Sequence, residues 1–251
     1  MLAGWRKRSA CVVLAGMAVA IAAGVSACAG SGLARHYEYD EDITLAVDGS
    51  ATVFVNASVP ALVNLRGLDL DTRPAARRDR AKIRALFTSP AARVTRVSRW
   101  RRFGRQFVQV RLAVDDITKL GAAPPFAWAT YRIDRRDGLI VYRQSLGQAA
   151  GKPVGNVGWK GDELIAVRLH LPSRIRYHNA GAGNMKRGNI LVWEQSLAGR
   201  QSGTPMEIEA RIEETSILYS TLVLFGISGT LALLVMALIV WWVVRRGKRA
   251  P

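Results

Sequence analysis

The sequence predicts an α+β domain, with a mostly antiparallel sheet and one main helix, joined to a C-terminal transmembrane helix. Three observations carry this expectation. Between Arg93 and Glu213, short β-branched runs of period two recur between turn residues. A helical face appears once in the domain, at Ala81, Ile83, Leu86 and Phe87. From Thr215 to Val244 the chain runs 30 residues without a charge, which as a helix is about 45 Å against a hydrocarbon layer of about 30 Å. At 49% hydrophobic and 22% charged residues, the composition excludes a disordered, collagen-like or disulfide-rich class.

The N-terminal end reads as a targeting segment. Arg6-Lys7-Arg8 form a basic start, and Ser9 to Ala34 is uncharged and rich in Ala, Val and Gly. Val25-Ser26-Ala27-Cys28 resembles the bacterial lipobox, whose cysteine becomes the lipidated first residue after cleavage. Ser26 and Ala27 meet its small-residue requirement, while Val25 stands where Leu is commoner. Residues 1–28 are expected to be a signal peptide with a lipobox, and Cys28 the lipidation site. Cleavage after Ala27 without a lipid and an uncleaved anchor are the alternatives, because the uncharged run is long enough to span. Cys11 and Cys28 are the two cysteines, so residues 29–214 fold without a disulfide. His36, His170 and His178 have no partner at metal-ligand spacing, so neither a metal nor a cofactor is expected.

Residues 29–214 are expected to form the exported domain. Asp42 to Asp48 and Ser50 to Ser58 are two β-branched runs around Asp48-Gly49, a hairpin signal. Asp71-Thr72-Arg73-Pro74 offers a cap and an early-turn proline, and the helical face stops at Ser89-Pro90, which predicts a helix over about residues 74–88. Strands are expected at Arg93 to Trp100, Arg105 to Val114, Phe126 to Arg132 and Leu139 to Leu146. Four more follow at Glu163 to Leu171, Arg174 to His178, Ile190 to Gln195 and Met206 to Glu213. Asp115 to Leu120 resembles a capped helical turn, and glycine-rich loops occupy 147–158 and 181–188.

The C-terminal end is expected to span a membrane over residues 215–244. Tyr219 and the Trp241-Trp242 pair sit at its two ends as interfacial anchors. Arg245 and Arg246 begin a basic tail, 245–251, that the positive-inside rule places in the cytoplasm. The domain then lies on the outer side of the plasma membrane, and anchoring at both Cys28 and the helix would hold its two ends at one bilayer.

Net charge is +17. The strongest local excess lies between Arg66 and Arg111, where thirteen Arg and Lys82 face Asp69, Asp71 and Asp79. Arg77, Arg78, Arg80, Arg84, Arg99, Arg101 and Arg102 are the candidate anion-binding residues, since guanidinium forks suit phosphate and carboxylate. A solvated basic face is the competing reading. Nucleic acid would use the same chemistry, but an exported address does not fit that partner. Carboxylate pairs and Ser/His/Asp sets can be assembled from any chain of this length, but no GxSxG, GxxxxGK[ST] or lipase-like turn marks a catalytic site. His178 reads as a structural hydrogen-bonding group and Trp193 as part of a sheet face.

The order of elements resembles the LppM-type envelope lipoproteins of actinobacteria. The resemblance runs through Cys28, the Asp48-Gly49 hairpin, the Pro172 to Asn179 turn, Gly188-Asn189 to Trp193 and Met206 to Glu213 before the span and its Arg tail. Residue-level likeness is confined to Pro172 to Trp193, and the Arg-rich helix region and the loop at 147–158 depart from the pattern. The resemblance implies an envelope domain that binds hydrophobic or glycolipid molecules, with no catalytic residues to carry over. The expectation is therefore a non-enzymatic, outward-facing membrane protein that binds an envelope lipid, an anionic polymer or a partner protein. A structural subunit of a membrane complex is the alternative, and a membrane-associated hydrolase the third reading.

Two expectations are testable at this level. A reporter that fluoresces only in the cytoplasm should be bright when fused after Pro251 and dark when inserted near Gly155; the reverse pattern refutes the topology. Labelling by a clickable fatty acid should be lost in Cys28→Ala while the protein stays in the membrane fraction, and an unlabelled parent removes the lipoprotein reading.

Overall fold

The computed structural model describes residues 35–73, 75–76, 79–181, 184–186 and 189–247. The expected signal peptide and Cys28 lie outside them. Eleven strands are described: β1 (Tyr37–Leu45), β2 (Ala51–Ser58), β3 (Arg93–Arg102), β4 (Arg105–Val114), β5 (Ala129–Arg136), β6 (Leu139–Leu146), β7 (Leu164–His170), β8 (Ser173–His178), β9 (Met185–Lys186), β10 (Ile190–Ser196) and β11 (Met206–Ser216). The helices are α1 (Val59–Arg66), α2 (Arg80–Phe87), α3 (Leu197–Gln201) and α4 (Ile217–Gly247), with 3-10 turns at Ile117–Ala122 and Pro124–Phe126. The fold is α+β. Among the described residues, one sheet has the order β3-β4-β2-β1-β7-β10-β9 and the other β5-β6-β11-β8. All neighbours pair antiparallel except β1 and β7, which are parallel.

Alternation decides which face of each strand is buried. In β1, Tyr39, Glu41, Ile43 and Leu45 point inward; Ile43 faces Val53 of β2, and Val53 faces Leu112 of β4. The second sheet stacks on this face along the same direction. Trp128, just before β5, meets Tyr39 edge-on at 5.5 Å, Tyr131 reaches Glu41, and Arg135 reaches the Val47 carbonyl. Two aligned sheets thus share one apolar interior.

This alignment gives the strands two distinct ends. At one lie the β1–β2 turn, the Asp137-Gly138 turn and the exit of β11 into α4, since Glu213 pairs with Leu139. At the other lie the start of β1, the β3–β4 turn and the starts of β6's partner β11 and of β7, since Met206 pairs with Leu146 and Ser58 with Phe107. Tyr37 and Ser216 therefore mark opposite ends, so the domain does not bring its two points of departure together at one edge.

Two helical expectations change. The predicted helix over 74–88 begins at Arg80, because Asp79 is the residue whose side chain caps Ala81, at 2.7 Å, while Asp71 turns back onto the Arg73 amide. The second change is α1, which the sequence reading ran past. Ser58 caps it through the Ala61 amide at 3.1 Å, Pro60 sits in its first turn, and Gly67 closes it at φ 68°. All eight of its residues are buried, so it has no polar face to reveal a helical period. The strand expected from Phe126 starts at Ala129 after a 3-10 turn, and β11 extends to Ser216, so α4 starts two residues later than the expected span.

Between the sheets lies a buried ion pair. Glu41 accepts from Tyr39 (2.6 Å) and Arg66 (2.7 Å) at one carboxylate oxygen, and from Tyr131 (2.9 Å) and Gln144 (3.1 Å) at the other. The Arg66 guanidinium also donates to the Pro125 carbonyl and lies 4.4 Å from the Tyr39 ring and 4.3 Å from that of Trp128. Burial pushes Glu41 up to about 7, against the pull of the Tyr131 and Gln144 hydrogen bonds, and pushes Arg66 down to about 9.

The pair ties β1, α1, β5 and β6 at one point, and each partner needs the other. Glu41→Gln should cost about 3–5 kcal/mol of unfolding free energy, because it leaves a guanidinium buried and turns an acceptor into a donor facing donors. Glu41→Leu combined with Arg66→Met should cost clearly less than the sum of the single replacements. Denaturant unfolding of the full chain in detergent, followed by tryptophan fluorescence, checks both; additive losses would show that the two side chains act independently.

Candidate functional site

The β3–β4 hairpin concentrates the basic residues that the sequence singles out. β3 is an edge strand, and its sequence Arg-Val-Thr-Arg-Val-Ser-Arg-Trp-Arg-Arg buries only Val94 and Val97. Arg99 and Arg101 lie on the face of Val97, the face beside which α2 packs, while Trp100 and Arg102 lie on the other. Arg80 and Arg84 are exposed on α2, and Arg84 donates to the Val94 carbonyl at 2.5 Å, fastening helix to strand. Arg80, Arg84, Arg99 and Arg101 thus share one flank of the domain, while Arg102 lies on the opposite face of β3 next to the turn; Arg77 and Arg78 lie outside the described residues. Charged side chains along an edge strand also oppose pairing with another chain, which gives the solvated-face reading a concrete role along most of β3.

The hairpin tip differs from the rest of the edge. Arg102 pairs with Arg105, leaving Phe103-Gly104 as a two-residue turn with φ 51° and 72°. The β5–β6 turn has the same form, but there Asp137-Gly138, at φ 54° and 72°, supplies residue types suited to it. A phenylalanine in the left-handed region costs about 1–2 kcal/mol relative to its ordinary backbone. The ring is 44% exposed, with the Arg102 guanidinium 4.6 Å above it and the His36 ring 4.3 Å away. Trp100, 38% exposed, stacks on Phe107 at 5.8 Å.

Beneath the tip a buried network fixes the glycine-rich loop. Arg105 donates to Glu38 at 2.7 and 3.0 Å and to the carbonyls of Val157 and Gly158 at 3.1 and 2.9 Å. Glu38 also accepts from the Trp159 indole at 3.1 Å, and Glu163 accepts from the Lys160 and Gly161 amides at 2.7 and 2.8 Å. A cavity of about 390 Å³ opens between tip and loop, with Pro60, Phe103, Val154 and Val157 as apolar walls and Arg73 and Arg105 as cations. Its size and mixture suit a small amphiphile with an anionic group. Arg73 is held in place by Asp71 at 2.7 Å.

Glu41, the one carboxylate described with a raised value near 7, is sealed between the sheets and lines no opening. His178 bonds the Ala180 carbonyl at 3.2 Å. Its neighbour Asn179 accepts from the Trp193 indole at 3.0 Å and from the Glu209 amide at 2.8 Å, joining β10 of one sheet to β11 of the other. Asn179 is therefore a structural clasp between the two sheets. Among the described residues no three His, Cys, Asp or Glu side chains converge as metal ligands.

In α4, Thr221–Trp242 is long and apolar enough to cross a membrane, and its described side chains are exposed. Tyr219 precedes this stretch and Trp241 and Trp242 end it, with the Arg245 guanidinium 4.7 Å from the Trp241 ring; the Arg246 side chain is outside the described set. Phe103, Trp100, Arg105 and the Glu38–Trp159 bond are the additions that the sequence reading missed. The signal for the first was a phenylalanine before glycine between two strands, where Asn or Asp is the usual turn former.

No family model and no curated protein matches this chain. Among solved structures it is similar to the folded domain of LppM from Mycobacterium tuberculosis, determined by NMR, at 13% identity over 73% of this chain and 94% of that one. With a TM-score of 0.40, the relationship to the LppM-type proteins is a weak structural one.

Proposed function

We propose that this chain is a membrane-anchored protein whose β-rich domain faces outward and binds, without catalysis, an amphiphile with an anionic head group. The observation that supports this reading best is the cavity beneath the β3–β4 tip, where apolar walls and two guanidiniums meet at an opening about 390 Å³ in volume. The apolar side chains accept an acyl or alkyl portion, and Arg73 at the rim, paired with Asp71 through Nε and Nη2, takes the phosphate or carboxylate in exchange for that carboxylate. Arg105 contributes positive potential rather than a contact of its own, because Glu38 and two carbonyls already occupy its donors. The arginines of α2 and β3 raise the local concentration of anions around the opening. The apolar span, the interfacial tryptophans and the Arg245 side of α4 support a cytoplasmic C-terminus.

The full chain in nanodiscs of zwitterionic lipid should bind water-soluble dihexanoyl phosphatidylglycerol saturably by calorimetry, and dihexanoyl phosphatidylcholine far less. Arg73→Gln should weaken binding about tenfold, the loss of one charge-assisted hydrogen bond at about 1.4 kcal/mol, and Val154→Asp should weaken it through the wall. Equal binding of the two lipids, or indifference to both substitutions, would remove the proposal.

A further inference from the structure

We propose that the β3–β4 tip docks onto the head groups of an anionic bilayer facing the one that α4 spans, so that the domain bridges two membrane surfaces. This rests on the anionic-ligand reading above and adds the direction in which the site is presented. The argument starts from strand register. The tip residues Arg102 and Arg105 lie at the end of the sheet where Ser58 pairs with Phe107, while β11 leaves for α4 at the end where Glu213 pairs with Leu139. Along β4 alone, Arg105 to Val114, the ten residues rise about 30 Å. Exposed charges are screened beyond about 8 Å at physiological ionic strength. An upright domain therefore holds its tip several screening lengths from the surface that its own helix enters.

Charge supports docking at the tip itself. Arg101 and Arg102 are exposed beside the turn, and the turn carries no carboxylate, while exposed Asp162 and Glu207 lie elsewhere at that end of the strands. The end next to α4 exposes Arg93, Arg174 and Arg176 as well as carboxylates, so the direction is given by strand register and not by a difference in charge between the two ends.

The apolar rings select a bilayer over a soluble polyanion. Phe103 stands at the outermost point of the hairpin, in a backbone conformation that disfavours it, and Trp100 is partly exposed two residues from Arg102. A polyanion would need only the arginines. An aromatic ring flanked by guanidiniums matches the head-group layer, where the ring enters the acyl boundary and the cations remain at the phosphates.

The test uses the full chain in phosphatidylcholine vesicles with the domain outside, mixed with labelled acceptor vesicles, and reads co-flotation. Acceptors containing phosphatidylglycerol should be captured and pure phosphatidylcholine acceptors should not, with capture falling steeply as salt rises. Phe103→Asn gives the turn a residue it favours, so the hairpin is kept or strengthened while the ring is lost; capture should fall about tenfold. Arg101→Gln with Arg102→Gln should lower it at least as much. Binding of dihexanoyl phosphatidylglycerol without vesicle capture would overturn the bridging while leaving the anionic-ligand reading intact; loss of both would overturn both. Capture of polyphosphate in place of vesicles, or capture unchanged by Phe103→Asn, would also overturn the bilayer as the docked surface.

Discussion

Glu41 and Arg66 face each other between two sheets, and neither charge has water to share it. Such a pair is costly wherever a buried donor or lone pair lacks a partner, so its surroundings are built in detail, and of the Arg66 nitrogens Nε is left without one. Tyr39 and Tyr131 approach the carboxylate from opposite sheets, Gln144 is oriented by Tyr142, and Arg66 reaches in from the last turn of α1. Removing the apolar helix α1 would leave the carboxylate without its counter-charge; shifting β5 by one residue would turn Tyr131 away from it. The stacking of the sheets, the seating of α1 and the register of β5 on β6 are thereby one problem with one solution.

That stacking also decides what the ends of the strands can do. Because β1 and β5 run side by side in the same direction, their turns collect at one end with the exit to α4, and the β3–β4 turn is left at the other. Two hairpins then use the same backbone turn for different purposes. Asp137-Gly138 is a turn chosen for its own stability, whereas Phe103-Gly104 gives up stability to set a ring at the tip. The Glu38–Arg105–Trp159 network below it compensates by fixing both the base of the hairpin and the loop that closes the cavity.

Much of the strand pattern was legible because alternation is a local signal. Arg105–Val114 and Leu139–Leu146 match their sequence-derived limits, the other expected strands shift at their ends, and β9 at Met185–Lys186 falls within the stretch expected to be a glycine-rich loop. α1 was not legible, since a helix buried on every side shows no period, and its signals were reduced to Ser58, Pro60 and Gly67. The candidate site was half legible: the arginines stood out as composition, but which of them line an opening depended on Pro60, Phe103 and Val154, which are far apart along the chain.

By itself, the sequence determined the α+β class, the apolar length of α4 and the concentration of arginine around β3, because each follows from residue type and spacing within one segment. Tertiary structure decided the division into two aligned sheets, the burial of Glu41 against Arg66 and the placing of the basic tip and the apolar helix at opposite ends. Those depend on which strands pair and in which register, a choice made by cross-strand packing and by the satisfaction of buried polar groups rather than by any local run of residues.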